Sequence, residues 1–140
     1  MRLSKRARYG TLALVDLALY QGHQPVKLNE IAERQQISLR YLAHLIHPLV
    51  AAGIVKTVRG PSGGIMLARS SDSINFAEII EILEGSLAFV KCVDDPHSCA
   101  RSPSCVTRRA WLKLTAGFDK MLRSTSLKDL AEECNKMECL

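Results

Sequence analysis

The chain has 140 residues, 47% of them apolar but only 5% aromatic, with a formal net charge of +5. That length holds one domain, or one domain with a helical appendage, and a core of Val, Ile, Leu and Ala favours a mainly α fold over a β-sandwich. No stretch approaches the roughly 18 apolar residues of a membrane span. Asp16 also interrupts the apolar run that follows the basic start, and no small-residue cleavage site precedes Gly22-His23-Gln24-Pro25. The expectation is a cytoplasmic protein with no membrane partner.

Charge is uneven along the chain. Residues 1–70 carry ten Lys and Arg against three acids, and residues 71–140 carry nine against eleven. A basic half beside a slightly acidic half points to one face for a polyanion and another for a second task, although solvated surface charge gives the same count.

Residues 4–21 read as a long helix capped by Ser4 and ended by GHQP, with apolar faces broad enough to be packed on several sides. In residues 26–55, Leu28, Ile31 and Ala32 fall at helical spacing before the polar break Gln35-Gln36. From Ser38, a second N-cap, Leu42, Leu45, Ile46 and Leu49 repeat as one helical face. Helix, tight turn, helix is a helix-turn-helix pattern. Its turn lacks the usual glycine, and Pro48 predicts a kink or early fraying of the second helix.

Gly53 ends that helix. Two β-prone runs, residues 55–59 and 65–67, then flank GPSGG, which predicts a hairpin. GPSGG is no phosphate-binding P-loop, since a strand follows and the Lys-Ser/Thr does not. Helix-turn-helix followed by a hairpin is a winged helix. Residues 75–84 predict a short helix with Phe76, Ile79, Ile80 and Leu83 inward, closed by Gly85. A cysteine loop leads to a longer helix at 104–123, and the last helix begins near Ser126.

The long helix carries Val106, Trp111, Leu114, Phe118, Met121 and Leu122, with little chain left to cover them. A third layer of the same domain or the same helix of a second copy would do so. A symmetric dimer is the favoured expectation, because one winged helix is a small footprint for specific DNA binding. The expected division is residues 1–85 for the winged DNA-binding domain, 86–103 for the cysteine-rich loop, and 104–140 for the dimerisation and C-terminal helices.

In a helix-turn-helix the N-terminal side chains of the second helix reach base edges. The outward positions here are Ser38, Arg40, Tyr41 and His44. Arg40 suits a bidentate contact to guanine, and the others suit phosphate or sugar. Arg59, at the wing tip, is placed for a minor groove or a phosphate, with Ser62, Gly63 and Gly64 letting the backbone come close. Lys5, Arg6 and Arg8 add cations for the DNA backbone, beside Ser4. The competing reading is a protein-binding module in which Tyr41 merely packs; charge, pattern and wing together favour DNA.

Cys92, Cys99 and Cys105 are separated by six and five residues, and there is no Cys-x-x-Cys. Zinc knuckles pair their cysteines two to four residues apart, so zinc, with His97 as a fourth ligand, fits the spacing less well than an iron–sulfur cluster does. Lys91, Arg101, Arg108 and Arg109 would keep the thiols ionised. The odd count of five cysteines and a reducing compartment argue against a disulfide framework. A thiol-only sensor stays open. No nucleophile–base constellation or cofactor loop points to an enzyme. Cys134 and Cys139, in CNKMEC, read as ordinary thiols on a mobile tail, with a secondary redox or metal role as the alternative.

MRLSKRARYG, LNEIAERQQISLRYLAHLIHPLVAAGIV, VRGPSGGIMLA, the three cysteines and SLKDLA together resemble the Rrf2 family of bacterial transcription regulators over nearly the whole chain. The wing motif and the cysteine placement are the specific parts. The resemblance implies a homodimer about the long helix, bound to a partly palindromic double-stranded DNA operator. It also implies that the three cysteines hold a cluster, [2Fe–2S] or [4Fe–4S], sensing iron, cluster supply, redox state or nitric oxide. Cluster-assembly regulators of the family place a histidine where this chain has Arg108, and nitric-oxide sensors use an acid from the partner subunit where it has Arg8. His97, then Asp94 and Asp95, are the local candidates for the fourth ligand, with solvent or an exogenous thiol as further options. Gain or loss of the cluster is expected to move the loop and change the separation of the two recognition helices.

Overall fold

The computed structural model describes residues 2–139. In chain order these form α1 (Lys5–Tyr20), α2 (Leu28–Gln35), α3 (Leu39–Ala51), β1 (Val55–Val58), β2 (Gly64–Leu67), α4 (Phe76–Glu84), α5 (Lys91–Asp94), α6 (Val106–Arg123) and α7 (Leu127–Met137). Single 3-10 turns occupy Ser71–Ser73, Pro96–Ser98 and Ser102–Ser104. The mainly α winged helix-turn-helix is present, and no described helix is long and apolar enough to cross a membrane.

α1 is the central post. The Ser4 hydroxyl accepts the Arg6 amide at 3.1 Å, satisfying one of the free donors at the helix start. Ala13, Leu14 and Leu17 are fully buried, and α1 packs against α2, α3, α4, β2 and α7. Its one buried charge, Asp16, is held by Arg34 of α2 through two bonds of 2.9 and 2.7 Å and by Gln35 Nε2 at 3.0 Å. That fork satisfies a carboxylate which would otherwise be buried at high cost. The hydrogen bonds it donates to Asp16 hold the Arg34 guanidinium above its ordinary pKa.

The turn between α2 and α3 is made without glycine. Gln36 takes the left-handed conformation at φ 54°, and its amide reaches the Ala32 and Glu33 carbonyls. Ser38 then caps α3 by accepting the Tyr41 amide at 3.1 Å, and Leu42, Leu45, Ile46 and Leu49 face the core.

The fraying predicted at Pro48 does not occur, and α3 runs through it to Ala51. The missing amide lies near the helix end, where it costs one bond to the His44 carbonyl. Fully buried Leu49 anchors the turn that follows.

β1 and β2 pair antiparallel, with Val55 opposite Leu67 and Val58 opposite Gly64. Val26 adds a bridge to Ile65 through bonds of 2.9 and 2.8 Å, tying the wing to the start of α2. A Cβ on Gly63 would strike the Val58 carbonyl and one on Gly64 the Val26 carbonyl. Gly63 serves close approach within the wing and Gly64 close approach of the wing to the segment before α2, requirements that the DNA-facing expectation did not include.

α4 and α7 both begin with a capping box, Asn75 with Glu78 and Ser126 with Asp129. The two starts are cross-linked: Phe76 donates to the Thr125 carbonyl and Leu127 to the Ile74 carbonyl, each at 2.8 Å. α7 lies along α1 and buries Leu127, Ala131 and Cys134. Cys134 and Cys139 form a disulfide, correcting the reading of two thiols on a mobile tail. Cys134 sits in the core cluster, and the left-handed residue Glu138 (φ 51°) turns the chain back to it.

α6 differs from the other long helices in having no buried residue. Phe118 and Leu122 rest on Ala77 and Ile80 of α4, while Val106, Leu114 and Met121 stay 80%, 54% and 71% exposed.

Candidate nucleic-acid interface and cysteine loop

The outer face of α3 presents Arg40, Ala43, His44 and His47 around one shallow depression. Arg40 and His44 lie there as predicted, both exposed, with Ser38 exposed at the helix start. His47 escaped the sequence reading, although it lies three residues beyond His44 and seven beyond Arg40, the spacing of one helical face. Tyr41 is half-buried, its ring edge-to-face with Tyr9 at 6.2 Å, so it also ties α3 to α1.

Arg59, Gly60, Pro61 and Ser62 form the exposed wing tip, while Gly63 is half-buried behind it. A second depression joins the wing at Gly60, Pro61 and Gly63 to Lys27 and Asn29 at the start of α2. Lys5, Arg6 and Arg8 are exposed on the first turns of α1. Ser4 is exposed but engaged by α4, its amide donating to Glu84 Oε1 at 2.7 Å and its hydroxyl to the same carboxylate. Of the cations of the basic half, α1 carries Lys5, Arg6 and Arg8, α3 carries Arg40 and the wing carries Lys56 and Arg59, while Asp16, the acid of α1, is already paired with Arg34.

The cysteine loop joins α4 to α6. Cys92 lies on α5 and is half-buried, Cys99 is exposed after the 3-10 turn Pro96–Ser98, and Cys105 is the N-cap of α6. All three are free thiols. Cys105 Sγ lies 3.1 Å from Thr107 Oγ1 and accepts the Arg108 amide at 3.4 Å. The Thr107 hydroxyl, then that amide, hold the Cys105 thiol below its ordinary pKa, favouring thiolate. Arg108 Nε donates to the Cys92 carbonyl at 2.9 Å, so one side chain ties the two ends of the loop together.

His97 is exposed; its amide donates to Asp95 Oδ1 at 3.1 Å, which gives that carboxylate a capping role. Between Cys99 and Cys105, Ser102 is buried, and its hydroxyl has no hydrogen-bond partner. Among the described residues, no three Cys, His, Asp or Glu side chains are gathered closely enough to hold a metal ion. In donor type the loop nevertheless fits an iron–sulfur group: three free thiols, one favoured as thiolate, and an unused buried hydroxyl able to donate to sulfur.

A recognition helix, a paired wing and a basic face define a winged-helix DNA-binding protein. Residues 3–133 match the model of the Rrf2 family, described as iron-dependent transcriptional regulators. Protein rrf2 of Nitratidesulfovibrio vulgaris is 35% identical over 142 residues, covering 99% of this chain and 95% of its own. The structure of CymR, the global cysteine regulator of B. subtilis, superposes with a TM-score of 0.79 at 33% identity, covering 95% of this chain and 98% of that one. T. potens IscR gives a TM-score of 0.77 at 38% identity, covering 96% and 88%. The chain belongs to the Rrf2 family and is a DNA-binding transcription regulator.

Proposed function

We propose that two copies of this chain bind a partly palindromic operator, and that Cys92, Cys99 and Cys105 hold an iron–sulfur cluster reporting iron, cluster, redox or nitric oxide status. The observation that carries the sensing half is the loop itself, whose three thiols are free while the other two cysteines are bonded to each other. When bound, a cluster supplies a redox-active group that reacts with oxygen or nitric oxide.

The chain's own residues provide the rest. Arg40, with Ser38, His44 and His47 beside it, faces the major groove, Arg59 and Ser62 reach from the wing, and Lys5 and Arg8 neutralise phosphates. The uncovered stripe of α6 (Val106, Leu114, Met121) supports dimerisation, because a second copy would remove it from water. The division proposed is residues 1–85 for the winged DNA-binding domain, 86–103 for the cysteine-rich loop, whose third cysteine is the cap of α6, and 104–140 for the dimerisation helix and the C-terminal helix α7, which packs on α1.

Arg108 gives the loop its mechanical link. It joins Cys92 on α5 to the first turn of α6, so closing the loop on a ligand pulls on the helix that sets the spacing of the two readers. A coupling of about 1–3 kcal/mol would change operator affinity roughly 5- to 150-fold.

A second reading rests on Cys105, whose lowered pKa suits direct reaction with oxidants and no metal at all. Zinc is the third occupant. Anaerobic purification followed by visible absorbance, metal analysis and acid-labile sulfide separates the three. Iron with sulfide supports the proposal; zinc alone, or neither, overturns it.

A further inference from the structure

We propose that Cys134 and Cys139 form a thiol–disulfide pair, oxidised by a small-molecule disulfide of the glutathione type, whose closure stiffens the turn of the DNA reader through Tyr20 and Arg34. The five cysteines divide into this pair and the three free thiols of the loop, so the chain carries two chemically separate sulfur sites.

The pair is built to close. The Cα atoms lie 5.2 Å apart, inside the range of about 4.4–6.8 Å that a disulfide spans without backbone movement. Glu138, in the left-handed conformation, reverses the chain after α7, and the Cys139 amide returns to the Cys134 carbonyl at 3.1 Å. A non-glycine residue is unfavourable there, so the crosslink also stabilises a turn that would otherwise open readily.

The two sulfurs have different access. Cys134 is 5% exposed on the face of α7 that meets α1, whereas Cys139 is exposed. Cys139 is therefore the entry point. Its thiolate attacks one sulfur of the small disulfide, forming a mixed disulfide and releasing one small thiolate. Cys134, as thiolate, then attacks the Cys139 sulfur and releases the second. Two protein thiols and one small disulfide give one protein disulfide and two small thiols; the two protein protons end on the released thiolates.

The route to the reader crosses one cavity between α7 and the end of α1. Cys134, Asn135 and Glu138 line a cavity of about 250 Å³ together with Leu19 and Tyr20 at the end of α1. The Tyr20 ring carries the Arg34 guanidinium 4.0 Å from its centroid, and Arg34 clasps buried Asp16. Arg34 stands two residues before the left-handed Gln36 on which α3 is aligned. A closed crosslink confines the wall of that cavity that α7 supplies opposite Tyr20, and an open one lets the last turn fray away from it.

The test uses the full chain in buffers of stepped glutathione to glutathione-disulfide ratio, with thiols trapped by iodoacetamide and counted by mass spectrometry. The expected result is one two-electron transition confined to the peptide containing residues 134–139. It persists when Cys92, Cys99 and Cys105 are all changed to Ala, and it is lost in Cys139→Ser. On oxidation, hydrogen exchange of residues 33–38 should slow several-fold, and Tyr20→Ala should keep the disulfide but lose that slowing. A pair that stays reduced at every ratio overturns the proposal. So does a pair that closes while exchange at 33–38 is unmoved. The exchange readout needs neither DNA nor a cluster, so failure of the cluster reading is separately visible.

Discussion

The side chain of Arg108 donates its Nε hydrogen to the backbone carbonyl of Cys92 across 2.9 Å, joining the first and last segments of the cysteine loop. On the proposed function this contact is a clasp that holds the loop shut. Arg108→Ala leaves the backbone amide on Cys105 Sγ and removes only this clasp. A charged hydrogen bond at a half-buried site is worth about 1 kcal/mol after screening by solvent. Hydrogen exchange of residues 91–105 should therefore speed up about fivefold, and bound iron should leave the loop faster. Unchanged exchange would show that the clasp does not hold the loop.

Ser102 gives the loop a second, opposite signature. Its buried hydroxyl has no partner, and such a group costs about 1–3 kcal/mol. Ser102→Ala should raise the melting temperature of the metal-free protein while shortening the lifetime of bound iron under anaerobic chelator challenge. A lower melting temperature for the metal-free variant would mean that the hydroxyl already has a structural partner.

The reader and its wing were legible because their causes are local. The Leu42-Leu45-Ile46-Leu49 repeat, the caps Ser4, Ser38 and Ser126, and the GPSGG turn each act within a few residues of chain. What stayed hidden depends on distant neighbours. Tyr41 meets Tyr9, Gly64 is forced by the Val26 carbonyl, and Cys134 finds Cys139 only because α7 is buried on α1 and Glu138 turns back. The fraying expected at Pro48 fails for the same reason, since the buried Leu49 beside it holds the helix that local propensity would end. Of the candidate site, residue types and spacing marked the three loop cysteines and Arg40. His47 was readable from helical spacing, and Ser102 was not readable at all.

On DNA selected from a random-sequence pool, Arg40→Ala should weaken binding by about 1–3 kcal/mol and relax preference at the bases it reads. Lys5→Ala should instead weaken all sequences alike and reduce the salt slope by about one. Fluorescence anisotropy at several salt concentrations separates the two. Equal loss on every sequence for Arg40→Ala would move that residue from base reading to phosphate contact.

In the proposed dimer the exposed stripe on α6 forms the seam between copies. Leu114 and Met121 border an apolar groove with Phe89, Ala110, Gly117 and Phe118. Leu114→Glu with Met121→Glu would place two charges in the seam between copies, where unpaired burial is prohibitive. Both positions are exposed within one chain, so the variant should keep its helical circular dichroism and sediment as a monomer. A variant that still sediments as a dimer would put the interface elsewhere.

If the cysteine loop controls the reader, affinity for DNA must follow the state of the loop. The most direct measurement is affinity for the same selected DNA, compared anaerobically between iron-loaded and metal-free wild type and for Cys99→Ala. The expected result is a difference of about 5- to 150-fold between the two wild-type states, in whichever direction the loop acts, with iron-treated Cys99→Ala matching the metal-free value. Equal affinities in both wild-type states, with iron and sulfide present in one of them, would contradict it.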